Sequence, residues 1–258
     1  MSQNVIQGTS KLAEAIRNRR QELGFTIEEA ASRARVGTKT WCRYEAGESI
    51  RRDKAKGICK TLNWHAIPSE SDDDNMEFNL GEYKNHEAWS EFLCDRFGEA
   101  AAISFVIGSD IVLDYLEADL DELSKMPRGT HVGQIPVSMT KDILPDQFLM
   151  RYDYEFIYQF KTVVETLREI ARYNDYFLAH SVMQELAVYL FVEESEFLME
   201  CMNSEMKACG VSGLDMWNEW LYDLFEDMDI VTCLYSDVFL TSDHIYHYDH
   251  WTEYQFHM

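Results

Sequence analysis

Between Gly24 and Gly47 the chain reads GFTIEEAASRARVGTKTWCRYEAG, and this stretch limits the possible folds more than any other. Thr26 followed by Glu29 has capping-box spacing, so a helix is expected to start there and run to about Ala34. A second helix is expected from about Thr38 to Ala46, stopped by Gly47. Only a tight turn separates the two, and the later helix is basic on one face and apolar on the other. Such a pair is commonly used to lay its second helix in the major groove of DNA. The flanks extend the pattern. Lys11 to Leu23 form an amphipathic helix, with Leu12, Ala15, Ile16 and Leu23 as apolar positions, Ser10 as expected N-cap and Gly24 as stop. Arg52 to Leu62 form a fourth, with Ala55, Ile58, Cys59 and Leu62 on one face. Residues 1–9 are polar and are expected to be loose.

Charge divides the chain at the same place. Residues 1–68 hold 13 Lys+Arg and 7 Asp+Glu (+6), whereas residues 69–258 hold 10 and 39 (−29). A basic head attracts phosphate and an acidic body is repelled by it. Pro68 to Asn75 is acidic and has no apolar anchor, which sets expected limits of 1–68 for the head, 69–75 for a linker and 76–258 for the body. With 46% hydrophobic residues but only 12 Gly and 4 Pro, the fold class expected is mainly all-α, four to five helices in the head and a larger helical bundle beyond. Body helices are expected over Tyr83–Phe97, Ala100–Leu123, Gln147–Tyr173, Asp175–Met202 and Leu214–Met228. Within the second of these, Ile103 to Ile107 suits either a strand or a buried helix, and residues 127–145 suit an irregular connection. No apolar run reaches the ~18 residues of a membrane span, and no secretory leader is evident. Six scattered cysteines without a C-x-x-C pair then point to reduced thiols and a cytoplasmic protein.

Residues 11–64 resemble the helix-turn-helix domain shared by the lambda repressor, Cro and the xenobiotic-response-element regulators. The match rests on Ala31 at the helix crossing, Val36 after the turn, Trp41 and Tyr44 facing a small core, then Glu45 and Gly47. The resemblance implies an ion pair between Arg20 and Glu45 that orients the reading helix. It also implies that Thr38, Lys39, Thr40 and Arg43 face the bases, while Arg17, Arg51, Arg52 and Lys54, with Lys11 and Arg19, neutralise phosphates. Arg43 suits guanine, because its planar fork donates bidentately. The chain departs from the family in carrying Ile27 where glutamine is frequent and Arg35 where glycine is frequent, so Arg35 is expected at positive φ. Trp41 and Tyr44 are also larger than the usual aliphatic residues.

Other chemistry is sparse. His244, His247 and His250 recur at intervals of three but lack a metal-binding pattern, so neither a metal nor another cofactor is expected. No phosphate-binding glycine loop and no nucleophile elbow occurs, and His180 with Ser181 or Cys201 has no supporting motif, so no enzymatic activity is expected. Carboxylate runs such as Glu193, Glu194 and Glu196, or Asp223, Glu226, Asp227 and Asp229, read as solvated faces. The function expected is a sequence-specific DNA-binding transcriptional regulator. One small head makes few contacts, so a homodimer spanning sites ~34 Å apart is expected, joined through the aromatic-rich body. The alternatives are an antitoxin-like protein whose acidic body neutralises a basic partner, or an acidic nucleic-acid mimic.

Overall fold

A computed structural model describes residues 5–62, 64, 67, 78–136, 138–173, 178–224, 240–245 and 247–254. The chain is mainly helical and divides into two compact units, Met1–Phe78 and Asn79–Met258. The expected linker at 69–75 lies outside the described residues.

The first unit holds α1 (Ser10–Glu22), α2 (Ile27–Arg33), α3 (Thr38–Glu45) and α4 (Arg52–Leu62). Two short strands, β1 (Val5–Ile6) and β2 (Ile50–Arg51), pair antiparallel. The pairing corrects the expectation that the first nine residues are wholly loose, because Ile6 packs on the core and brings its backbone alongside buried Ile50. It also moves the start of α1. The chain leaves β1 extended through Thr9, whose Oγ1 accepts from the Leu12 N–H at 3.2 Å, so Thr9 rather than Ser10 is the N-cap. At α2 the Thr26–Glu29 capping box closes in both directions, at 2.8 and 3.1 Å.

Three of these helices end alike. After α1, the N–H of Phe25 returns to the Arg20 carbonyl and that of Gly24 to Gln21. After α2, Val36 returns to Ala31 and Arg35 to Ser32; after α3, Glu48 returns to Arg43 and Gly47 to Tyr44. This is the Schellman arrangement, which requires one residue at positive φ. Gly24 and Gly47 supply it at φ +73° and +91°, and Arg35 supplies it at +53°. Each ending reverses the chain within two residues and packs the helices over one core of Leu12, Ile16, Ala31, Val36, Trp41, Tyr44, Ile50, Ile58 and Leu62. At Gly57 of α4 a side chain would strike the Ala34 backbone, so glycine is what lets α4 reach the end of α2.

In the second unit the expected helices appear with shifted ends. They are α5 (Leu80–Lys84), α6 (Glu91–Phe97), α7 (Glu99–Ser124), α8 (Tyr154–Tyr173), α9 (Val182–Ala208) and α10 (Trp220–Leu224). The expected helix at Tyr83–Phe97 is split, because Asn85 ends α5 and the Ser90 hydroxyl caps α6 through the Leu93 N–H. Asp153 opens α8 by accepting from Phe156, so residues 147–151 form a 3₁₀ turn rather than the start of that helix. Ser181 caps α9 through Gln184, displacing its start from the expected Asp175, a residue outside the described set.

Ile103 to Ile107 lie inside α7, buried on every side, where α7 packs against α6, α8 and α9. Gly108 lets α7 approach the Phe191 backbone of α9, and Phe105 meets Phe191 edge-on at 5.3 Å. Several polar groups between these helices are paired. The Trp220 indole donates to Ser104 Oγ at 3.0 Å, and the Tyr115 hydroxyl to Glu194 at 3.2 Å. Arg168 joins Glu87 and Asp110, both at 2.8 Å. Buried Asp119 accepts from the Met139 and Thr140 N–H groups and from the Ser138 and Thr140 hydroxyls, which gives the 127–145 connection a fixed anchor on α7.

Candidate nucleic-acid interface

Helix α3 has two unlike sides. Trp41, Tyr44 and Glu45 are buried, while Thr38, Lys39 and Arg43 are exposed and Thr40 is half-buried. Lys39 and Arg43, four residues apart, share the outward face.

The inward side is fixed by Glu45. Arg20 of α1 donates Nε to its Oε1 at 2.5 Å and Nη2 to its Oε2 at 3.1 Å, a two-pronged contact. The Trp41 indole donates to the same carboxylate at 2.6 Å, and the third nitrogen of Arg20 donates to the Phe25 carbonyl at 2.9 Å. Burial pushes the Glu45 carboxyl up. Hydrogen bonds from Arg20 and Trp41, with the charges of Arg20 and Arg17, outweigh that and hold it below the usual carboxylate range.

Arg17 and Arg19 are both engaged within the protein. Arg17 donates from Nη2 to the Glu45 backbone carbonyl at 2.7 Å, and Arg19 from Nε to the Leu62 carbonyl at 2.9 Å. These carbonyls end α3 and α4, where helices lack internal donors and carry partial negative charge. The basic run of α1 therefore pins the C-termini of two other helices. Nothing in the spacing of Arg17, Arg19 and Arg20 reveals those targets, because each is defined by how the helices pack.

The remaining site residues lie on two elements. Arg51 is exposed on β2 and Lys54 half-buried on α4; the Arg52 side chain lies outside the described residues. Arg33 lies over the Phe25 ring at 4.1 Å.

Sequence reasoning passed over Glu48. The α3 ending folds it back beside Arg43, and its Oε2 accepts from Arg43 Nε at 2.7 Å and lies 2.6 Å from Nη2. The pair is solvent-exposed, with side chains 65% and 50% accessible. The contact raises the Arg43 guanidinium above its ordinary value and holds the Glu48 carboxyl below its own. A readable signal exists: a glycine that ends a helix sets the next residue opposite the one five places earlier.

In the second unit, Glu194 lies buried against Tyr115, which corrects its reading as part of a solvated run. Of the other run, Asp223 is described by its backbone alone, and Glu226, Asp227 and Asp229 lie outside the described residues. His247 and His250 turn to Asp249 and Glu253, at 3.4 and 2.9 Å. The Ser181 hydroxyl is occupied as the α9 cap. Among the described residues no helix is long and apolar enough to cross a membrane. Comparison with protein-family models, with curated proteins and with solved structures finds no match for this chain.

Proposed function

We propose that the first unit binds double-stranded DNA by laying α3 in the major groove, and that the chain is a transcriptional regulator acting as a homodimer joined through its acidic second unit. The observation that carries this reading is the two-sidedness of α3. Its Trp41, Tyr44 and Glu45 side is locked to α1, so its Thr38, Lys39 and Arg43 side is presented by a rigid support. The excess of six positive charges in residues 1–68, set against −29 in the rest, favours phosphate contact by the helices of residues 1–68. Lys39, exposed on α3, and the basic Arg51–Lys54 stretch at the start of α4 supply the phosphate contacts in this reading.

Selection from a randomised duplex pool with the full chain tests this. A preferred, near-palindromic site is expected. Lys39→Ala should weaken binding to all sequences and lower the salt slope by about 0.9, while Arg43→Ala should change base preference at one pair per half-site. A pool that shows no enrichment overturns the reading.

A further inference from the structure

Arg43 has five N–H donors in one plane. One oxygen of Glu48 accepts the Nε–H and lies 2.6 Å from Nη2, which covers one edge of the guanidinium. The edge left over carries an Nη1–H and the second Nη2–H, two parallel donors whose spacing matches the N7 and O6 acceptors of guanine.

The arrangement is built by the backbone. Gly47 at φ +91° turns the chain so that the Glu48 N–H meets the Arg43 carbonyl at 3.0 Å, and the two side chains leave from adjacent points. In endings of this type an apolar contact frequently joins the corresponding residues; here an ion pair does. An exposed pair of this kind contributes little to stability, so its role is sought elsewhere.

We propose that Glu48 is a positioning residue for base reading: it holds the side edge of the Arg43 guanidinium so that the remaining edge meets guanine and not the DNA backbone. This rests on α3 being the reading helix. Two physical consequences follow. An arginine already held in plane loses less rotamer freedom on meeting its base. A guanidinium whose charge is matched by a carboxylate gains little from a phosphate, so Arg43 adds little to binding on unrelated sequences. Together these widen the gap between specific and non-specific binding.

The test uses the full chain, its selected duplex, single-pair variants of that duplex and an unrelated duplex, each followed by fluorescence anisotropy over a range of salt. Glu48→Gln keeps the size of the side chain and removes its charge. It should tighten binding to the unrelated duplex several-fold and steepen the salt slope there by about 0.9. Preference for guanine at the pair registered by Arg43→Ala should fall about tenfold. In an Arg43→Ala background, Glu48→Gln should leave base preference unchanged. If Glu48→Gln keeps the guanine preference that Arg43→Ala loses, the proposal is wrong, even if non-specific binding tightens, because charge removal alone explains that gain. If the wild-type chain prefers no sequence, the DNA reading falls and takes this proposal with it.

Discussion

Glu45 gathers contacts from α1 and from its own helix: Arg20 by two nitrogens, the Trp41 indole and, at 3.8 Å, Arg17. Removing one partner of a buried pair strands the other, which costs more than the pair contributes. Glu45→Ala should therefore destabilise the first unit by about 3 kcal/mol, read as faster amide exchange throughout α1 and α3. The folded carboxyl lies below its ordinary value, so its contribution is full above the unfolded pKa and is lost as pH falls through the folded one. Acidification below about pH 4 should accelerate exchange in wild type more than in Glu45→Gln. Arg20 and Glu45 could be named from the sequence because the resemblance supplied their positions. Their third partner, the Trp41 indole, could not, since a tryptophan at helical spacing signals only burial.

At the scale of elements, how helices end matters as much as where they run. Arg35 occupies the left-handed position between α2 and α3 that Gly24 and Gly47 occupy elsewhere. An L-residue there costs about 1 kcal/mol relative to glycine. Arg35→Gly should slow exchange of the α2 and α3 amides by the equivalent of roughly 0.5–1 kcal/mol. Faster exchange would mean that the arginine side chain contributes more than the strain removes. The positive φ was legible, because the turn demands it whatever residue is present. The state of Ile103–Ile107 was not, since a short apolar run is compatible with either period and only its burial within 26-residue α7 decides. The starts of α6, α8 and α9 were misjudged for a related reason. Ser90, Asp153 and Ser181 cap them, yet serine and aspartate occur at many positions where no helix begins.

For the molecule as a whole, the second unit contains a buried acid that no cation neutralises among the described residues. Glu185 of α9 is buried, and among the described residues its Oε2 has no hydrogen-bond partner. Burial pushes its carboxyl up from 4.5 to about 9, so the folded protein holds a proton that the unfolded chain releases. Stability from this group is fully present below the unfolded pKa and declines as pH rises toward the folded one. Glu185→Gln should therefore be more stable than wild type at pH 7, by up to about 3 kcal/mol. The difference should grow between pH 6 and pH 9 in thermal unfolding of the full chain. An advantage that does not change with pH would place the ionised form in the folded state. Nothing in the sequence distinguished Glu185 from the exposed glutamates Glu193 and Glu196 on the same helix.

By itself the sequence determined the helical character, the capping box at Thr26, the glycine-ended turn after α3 and the charge contrast between residues 1–68 and the rest. These follow from properties encoded within a few neighbouring residues: side-chain period, cap chemistry and backbone handedness. The tertiary structure alone decided where the neighbouring arginines of α1 are bound. Arg17 and Arg19 belong to the same basic run as Arg20, yet their destinations are the carbonyls that end α3 and α4. A charged group is assigned by the nearest complementary atom in space, and that atom is supplied by chain far away in sequence.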